Sequence, residues 1–263
     1  LTEGFTFINT NLYPVIAPQR QTRPGGPGAG AADAGAAPPA ETSSNSSAVG
    51  AHFLQWTSSY HDVDWPELPP LDRTTAVARL AALERRLLEL PGFPAGPNTP
   101  VVSIMKNVGR SVGGSLSHGH QQIALLNVWP KRVQDNHRFF KDNGKTFRTY
   151  LEGANPDSLT VTETNHGKLV VPYFMRRPYD LVFLLSDDEP AYVHQLDRKQ
   201  HEGLGEALAL GMRLMRSILL SLRREIAYNV LFHTGPGAGM YLEFLPWTQA
   251  NGGFEQLGIS ACQ

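Results

Sequence analysis

Two histidines separated by a single residue follow a stretch rich in glycine and serine near the middle of the chain. Residues 106–123 have the sequence KNVGRSVGGSLSHGHQQI. If this segment ends in a strand, His118, His120 and Gln122 share one face, because alternate side chains of a strand point to the same side. Gly119 has no side chain, so a ligand or another backbone segment can approach closely there. The pattern predicts two imidazoles and a carboxamide in a row.

This row permits three interpretations. A His-x-His pair on a strand is a common pair of metal ligands. Alternatively, one histidine is a nucleophile, and the loop amides and Gln122 hold an anion beside it. In the third interpretation the strand is polar for structural reasons and has no catalytic role. The glycine-rich loop is not a Walker A loop, since no Gly-Lys-Ser/Thr closes it, and the pattern alone leaves all three interpretations open.

The elements that would position these residues alternate along the chain in a simple order. Apolar periodicity and turn residues predict strands at 5–14, 52–57, 101–105 and 118–128, and a helix at 72–90 with Asp72 as its N-cap. The second half repeats this order, with strands at 168–174, 180–185, 228–233 and 240–245 and a long helix at 196–224. The polar segment 133–150 includes a further helix. Sequential strands with one helix per half predict an α+β fold with antiparallel sheets.

The composition excludes several classes of protein. The 263 residues include 23 Lys and Arg against 24 Asp and Glu, a net charge of −1, which excludes nucleic-acid binding by bulk positive charge. The one cysteine, Cys262, excludes a disulfide framework or a Cys-x-x-Cys site within the chain. No apolar run approaches the roughly 18–20 residues of a membrane helix, and no signal-peptide pattern is visible. We therefore expect a cytoplasmic protein with no nucleic-acid or membrane partner.

Residues 17–50 differ in composition from the rest of the chain. They are rich in Gly, Ala, Pro and Ser and contain no aromatic residue. Such a segment buries too little apolar surface to offset the entropy lost on ordering. We predict a flexible insertion between the first two strands, acting as a plain spacer or as a functional lid.

The spacing of polar residues around the two histidines is more specific than the His-x-His pair alone. It follows the pattern Asn-x-Gly-x3-Gly-x-Ser-x2-His-Pro-His-x-Gln, with Gly119 in place of the proline, at Asn107, Gly109, Gly113, Ser115, His118, His120 and Gln122. In this segment the chain resembles the galactose-1-phosphate uridylyltransferase family, a branch of the histidine-triad superfamily. Further similar segments are Asn11-Leu-Tyr-Pro14, Gly50-Ala-His52, His61, Pro178-Tyr179-Asp180 and residues 241–246.

The resemblance implies two tandem histidine-triad-like halves, residues 1–150 and 151–263, each an antiparallel sheet with a packed helix. The first half would hold the working site. The implied activity is transfer of a nucleoside monophosphate from a nucleotide donor, such as a nucleoside diphosphate sugar, through a nucleotidyl-histidine at His120 to a phosphate or sugar-phosphate acceptor. The alternatives are a phosphorylase or hydrolase of dinucleoside polyphosphates or of such sugars, and a non-catalytic nucleotide-binding protein.

The resemblance also implies roles for individual residues. His120 is the nucleophile, and His118 aligns the strand. Gln122 stands where the hydrolytic branches have a histidine, and because it has no titratable proton it favours transfer over hydrolysis. The residues that would bind nucleotide and phosphate are Asn11, Asn107, Arg110, Gly113, Gly114 and Ser115.

The acceptor and a metal are further implications of the resemblance. Glu243 and Gln263 would contact the acceptor. Zinc or another divalent metal would bind at His61 and His118, although a chain with a single cysteine cannot assemble the four-ligand zinc site of some relatives. Members of the family are often dimers, so we also expect a homodimer.

Overall fold

Nine strands and four α-helices form the part of the chain that the computed structural model describes, residues 6–16, 49–91, 99–175, 177–186 and 190–249. The strands are β1 Phe7–Thr10, β2 Gly50–Trp56, β3 Val101–Val108, β4 His120–Leu126, β5 Thr160–Thr164, β6 Gly167–Val170, β7 Leu181–Leu185, β8 Tyr228–His233 and β9 Tyr241–Pro246. The helices are α1 Pro70–Leu88, α2 Lys131–Asn143, α3 Phe147–Ala154 and α4 Arg198–Ser221. No helix in these ranges is both long and apolar enough to cross a membrane.

The strands pair in one antiparallel sheet with the order β1-β2-β4-β3-β8-β9-β7-β6-β5. The order strand, strand, helix, strand, strand occurs twice, as β1, β2, α1, β3, β4 and as β6, β7, α4, β8, β9. The two units meet where β3 pairs with β8, with Ile104 opposite Phe232. The predicted α+β class is confirmed. The boundary at residue 150 falls within α3 and stays a prediction.

Helices α1 and α4 cover one face of the sheet and bury the main core. The apolar stripe of α4, which includes Leu204, Leu208 and Met212, packs in the same cluster as Ile123 and Leu125 of β4. Each such buried side chain contributes about 1.5–3 kcal/mol. Because alternate side chains of a strand point to opposite faces, His120 and Gln122 lie on the face away from these helices. The core therefore packs against one face of β4, while His120 and Gln122 lie on the other face.

Several element boundaries differ from those predicted. Helix α1 begins at Pro70 with Pro69 as its N-cap, so the predicted N-cap, Asp72, lies in the first turn instead. A proline at the first position removes one of the four amides that lack a partner inside the helix, and its fixed φ favours the start of a helix there. The segment predicted to include one helix forms two, α2 and α3, and the short polar strand β5 was not predicted. The body of the predicted insertion, residues 17–48, lies outside the described residues.

Candidate active site

The loop of residues 109–117 connects β3 to β4 and folds back on itself. Gly109 has a φ of 92° and Gly113 a φ of 86°, values that residues with a Cβ rarely adopt. The amide of Gly114 donates to the carbonyl of Gly109 at 2.9 Å. A Cβ on Gly109 would lie 2.5 Å from the carbonyl oxygen of Ile226, so the loop packs directly on the backbone that leads into β8. Glycine at these positions therefore allows the loop to close beside the start of β4.

His120, the first residue of β4, is held in one orientation and one protonation state. Its side chain lines a cavity and is 7% exposed. Nδ1 donates to the carbonyl oxygen of His118 at 2.8 Å. Since a carbonyl only accepts hydrogen bonds, the proton is on Nδ1 and the lone pair is on Nε2. The ring of Trp56 packs against this imidazole with a centroid distance of 5.3 Å. An oriented imidazole with its lone pair on Nε2 is suited to nucleophilic attack.

The environment of His120 favours the neutral imidazole. Burial is the largest cause, and it lowers the pKa of His120 below its ordinary value of about 6.5. The hydrogen bond to the His118 carbonyl raises this pKa, but by less. The Lys106 ammonium and the His118 imidazole lower the pKa, whereas the Asp64 carboxylate raises it. His120 is therefore in its nucleophilic form at neutral pH.

We expect the rate of nucleotidyl transfer to His120 to stay above half of its plateau value at pH 6.5 and to fall at lower pH. The reason is that a histidine whose pKa is lowered below its ordinary value of about 6.5 is still mainly neutral at that pH. The measurement is the rate of adduct formation at low donor concentration, which reports the free protein, by rapid quench and intact mass, between pH 5 and 8. A rate that has already fallen by half at pH 6.5 or above would contradict a lowered pKa.

His118 lies just before β4, so of the predicted row of three side chains only His120 and Gln122 lie on the strand. Nε2 of His118 donates to the carbonyl oxygen of Ser58 at 2.6 Å, and Nε2 of His61 lies 3.1 Å from the Ser117 hydroxyl. The two rings are 5.1 Å apart. In the part of the chain that the structure describes, no three His, Cys, Asp or Glu side chains are grouped so that they could hold a metal. This pair alone does not fit a structural zinc site, and metal binding stays a prediction.

Gln122 is linked to the N-terminal turn through His52. Its side chain hydrogen-bonds His52. Burial lowers the pKa of His52 by more than this hydrogen bond raises it. Nδ1 of His52 accepts from the Val15 amide at 3.2 Å, so the ring proton is on Nε2. The Asn11 amide contacts the same ring at 3.2 Å, and its oxygen accepts from the Tyr13 amide. Asn11 thus orders the turn behind Gln122, and its predicted contact with the nucleoside stays a prediction.

A cavity of about 470 Å³ opens beside His120, and the β3–β4 loop forms most of its wall. Four residues predicted to bind nucleotide or phosphate line it: Asn107, Arg110, Gly114 and Ser115. Asn107 accepts a hydrogen bond from the Asn229 amide at 2.8 Å, and its own amide nitrogen lies next to Gly113. The structure therefore brings most of the predicted phosphate-binding set together around His120.

Arg110 is exposed at the edge of this cavity, close to Glu225. The Glu225 carboxylate accepts from the Arg110 amide at 3.2 Å and from the Ser111 hydroxyl. The Ser111 hydrogen bond is the largest cause that lowers the pKa of Glu225. Glu225 follows α4, so these bonds tie the loop to the second half of the chain. The Arg110 guanidinium lines the cavity, where a phosphate could be bound.

Glu243 does not belong to the His120 cavity. Gln122 is opposite Met105, Met105 is opposite Leu231, and Leu231 is opposite Glu243, across β4, β3, β8 and β9. Gln122 and Glu243 therefore lie on the same face of the sheet, about 14 Å apart. Glu243 bonds His233 at 2.8 Å and lines a second cavity of about 490 Å³ with mainly apolar walls. Its predicted contact with the acceptor stays a prediction, and Gln263 lies outside the described residues.

Two residues at the site were not predicted to have a role there. Trp56 packs on His118 and His120, with centroid distances of 4.9 and 5.3 Å. Asp64 lines the cavity and pairs with Lys106 at 2.7 Å. Nothing in the local sequence marks either residue, because each reaches the site through a strand pairing or a loop contact over more than 40 positions.

Two relatives and several solved structures are similar to this chain, whereas no family model matches it. An ADP-glucose phosphorylase from Arabidopsis thaliana is 24% identical over 258 residues, 93% of this chain and 66% of that protein. The chain thus spans just under two thirds of that relative. A galactose-1-phosphate uridylyltransferase from Thermotoga maritima is 29% identical over 84 residues, 30% of this chain and 26% of that protein.

The solved structures agree in fold. The Arabidopsis thaliana ADP-glucose phosphorylase with bound ADP-glucose has a TM-score of 0.72 at 19% identity, over 98% of this chain and 76% of that one. A uridylyltransferase structure has a TM-score of 0.71 at 19% identity, over 98% of this chain and 80% of that one. The chain has the fold of proteins similar to galactose-1-phosphate uridylyltransferase, as its motif predicted.

Proposed function

We propose that this chain, a homologue of enzymes of the galactose-1-phosphate uridylyltransferase type, transfers a nucleoside monophosphate through a covalent bond to His120. The observation that carries this proposal is the state of His120. It is neutral, its Nδ1 proton is committed to the His118 carbonyl, and Nε2 is the nitrogen left for attack. The loop that would hold the phosphates lines the same cavity.

In the first half-reaction, Nε2 of His120 attacks the α-phosphorus of a nucleoside diphosphate sugar. An N–P bond forms, and the bond from the α-phosphorus to the bridging oxygen breaks, so that sugar 1-phosphate leaves. The Nδ1–H bond to the His118 carbonyl stabilises the positive charge that develops on the ring. Arg110 and the loop amides bind the non-bridging oxygens, because phosphoryl transfer depends mainly on positioning and charge stabilisation.

In the second half-reaction, an oxygen of an acceptor phosphate attacks the same phosphorus. The N–P bond breaks, the nucleoside diphosphate leaves, and His120 returns to its neutral state. A histidine is suited to both steps, since imidazole is a good nucleophile and a good leaving group near neutral pH.

We propose a nucleoside diphosphate sugar as donor and inorganic phosphate as acceptor. The similarity to ADP-glucose phosphorylase over 93% of this chain supports this choice and makes ADP-glucose the first donor to test. The shorter similarity to galactose-1-phosphate uridylyltransferase supports a second candidate, with a sugar phosphate as acceptor. The homodimer implied by the motif stays a prediction.

A steady-state panel separates these candidates. ADP-glucose, UDP-glucose and a dinucleoside polyphosphate are each incubated with phosphate, with a sugar phosphate and with neither, and the products are quantified. Phosphate-dependent release of sugar 1-phosphate and nucleoside diphosphate supports the phosphorylase. Exchange only with sugar phosphate supports the second candidate. Cleavage without any acceptor identifies a hydrolase, and binding without turnover identifies a nucleotide-binding protein.

We expect Gln122→His to raise the ratio of hydrolysis to transfer by about tenfold or more, because an imidazole can accept a proton from water where the amide cannot. The measurement is the partition of the donor between nucleoside monophosphate and nucleoside diphosphate at a fixed phosphate concentration. Gln122→Glu is a useful control, since it also adds a titratable group of similar length. An unchanged partition in both variants would show that residue 122 does not control the entry of water.

A further inference from the structure

Strands β3 and β4 stop pairing at Gln122, two residues from His120. Pairing of β3 with β4 ends at Met105 opposite Gln122, whereas β3 continues to Val108 paired with β8. The side chain of Lys106 fills the gap. Its ammonium donates to the main-chain oxygen of His120 at 2.9 Å, and the residue is 1% exposed. A side chain thus replaces the main-chain donor that a continuing ladder would supply.

Three consecutive carbonyl groups around the nucleophile each have a specific donor. The His118 carbonyl accepts from the His120 ring at 2.8 Å, and the Gly119 carbonyl accepts from the Thr57 amide at 2.9 Å. The His120 carbonyl accepts from Lys106. Only the Lys106 bond involves a full charge, and charge-assisted hydrogen bonds are roughly twice as strong as neutral ones.

Asp64 holds Lys106 in place and determines which residue fits at position 119. Its carboxylate pairs with the Lys106 ammonium at 2.7 Å and accepts from the Trp65 amide at 2.8 Å. The same carboxylate lies against the Cα of Gly119. A Cβ built there would be 2.5 Å from Cγ of Asp64 and 2.8 Å from each carboxylate oxygen. Asp64 therefore occupies the space that any side chain at position 119 would need.

We propose that Asp64 and Lys106 form a positioning pair for His120, and that Gly119 is required because the Asp64 carboxylate lies where a side chain would stand. The pair acts through the backbone. Lys106 hydrogen-bonds the His120 carbonyl, and the Asp64 carboxylate packs against Gly119, between the two histidines. This inference rests on the proposed role of His120 as nucleophile. Neither Asp64 nor Lys106 is a catalytic residue in this account.

Lys106→Met and Asp64→Asn test the pair directly. Lys106→Met keeps the apolar stem and removes the donor, and Asp64→Asn keeps the volume and the acceptor for the Trp65 amide. We expect each to slow adduct formation on His120, by up to about 100-fold, because small misplacement of a reacting group has effects of this size. Donor affinity should stay within about threefold, since the loop that binds phosphate is not altered. Lys131→Met, in an exposed pair with Asp135 at 2.7 Å, is the matched control and should react at the wild-type rate.

Position 119 provides a second, independent test. Gly119→Ala alone should slow adduct formation, because its Cβ displaces Asp64. When it is combined with Asp64→Ala, which removes Cγ and both carboxylate oxygens, adduct formation should be little slower than in Asp64→Ala alone. Residues in contact give such non-additive effects, whereas independent sites add.

The readouts are the quenched rate of adduct formation by intact mass, the donor Kd by titration, and the melting temperature. Slower adduct formation at unchanged Kd, with non-additivity at positions 64 and 119, supports the positioning pair. Wild-type rates in Lys106→Met and Asp64→Asn would overturn it. Rates and affinities that fall in proportion to the melting temperature of each variant would also overturn it. If the wild-type protein itself forms no adduct with any donor, the proposed function fails first, and this inference fails with it.

Discussion

Replacing His120 by alanine is expected to reduce turnover of the donor by on the order of 10⁴-fold or more, because loss of a nucleophile removes the covalent route altogether. Donor affinity should change little. His120 contributes one buried ring to a cavity whose wall consists mostly of the β3–β4 loop. The combination of a large effect on kcat and a small effect on Kd distinguishes a nucleophile from a binding residue. The measurement is steady-state turnover together with a donor titration.

His166→Ala is the matched control for the loss of an imidazole. His166 lies between β5 and β6 in the second half, 3.9 Å from Glu206 and outside both cavities described above. Its replacement should leave turnover within about twofold, because this partly buried side chain lies away from the His120 cavity. The melting temperature shows whether the variant keeps its fold. If His120→Ala retained a tenth or more of wild-type turnover, covalent catalysis through this residue would be excluded.

Gly109→Ala is expected to destabilise the fold by about 3 kcal/mol and to weaken donor binding. A backbone with positive φ and extended ψ, such as the ψ of 150° at Gly109, is essentially restricted to glycine and costs another residue about 1–3 kcal/mol. Forced overlap in a packed region costs about 1–3 kcal/mol more. Gly109 has both features, with a φ of 92° and a Cβ position 2.5 Å from the Ile226 carbonyl oxygen. Urea unfolding gives the stability, and titration gives the donor affinity.

Two other glycines separate the causes of this effect. Gly144, which ends α2, has a φ of 66° with nothing within 4 Å of an added Cβ, so Gly144→Ala should show the strain alone, about 1 kcal/mol. Gly153 in α3 has open space and an ordinary φ, so Gly153→Ala should be neutral or slightly stabilising. Neither change should alter donor affinity. An equal loss in Gly109→Ala and Gly144→Ala would show that packing against Ile226 does not matter.

The short-range part of the site could be predicted from the sequence. The motif around His118 and His120 is contiguous, so its residues are close in space whatever the register of the sheet. Apolar periodicity was enough to predict α1, α4 and most core strands, because these elements bury one regular face. The predicted repeat in the order of strands and helices is present, whereas the division into two halves stays a prediction.

The remaining features depend on long-range pairing that no local pattern records. Trp56 meets His120 because β2 and β4 pair in one register, in which the two residues are opposite each other. In the sequence Lys106 is simply a basic residue next to the motif. Its burial follows from the separation of β3 and β4 together with the approach of Asp64. His118 was predicted to lie on the strand. The hydrogen bonds that hold its own carbonyl and ring place it before the strand instead.

The most direct test of the central claim is intact-protein mass spectrometry of the wild-type chain after incubation with ADP-glucose and other nucleotide donors, followed by addition of phosphate. The account predicts a mass gain of one nucleoside monophosphate, located on His120, that disappears when phosphate is added and releases nucleoside diphosphate. Donor turnover with no such adduct at any time, or an adduct that persists in His120→Ala, would contradict it.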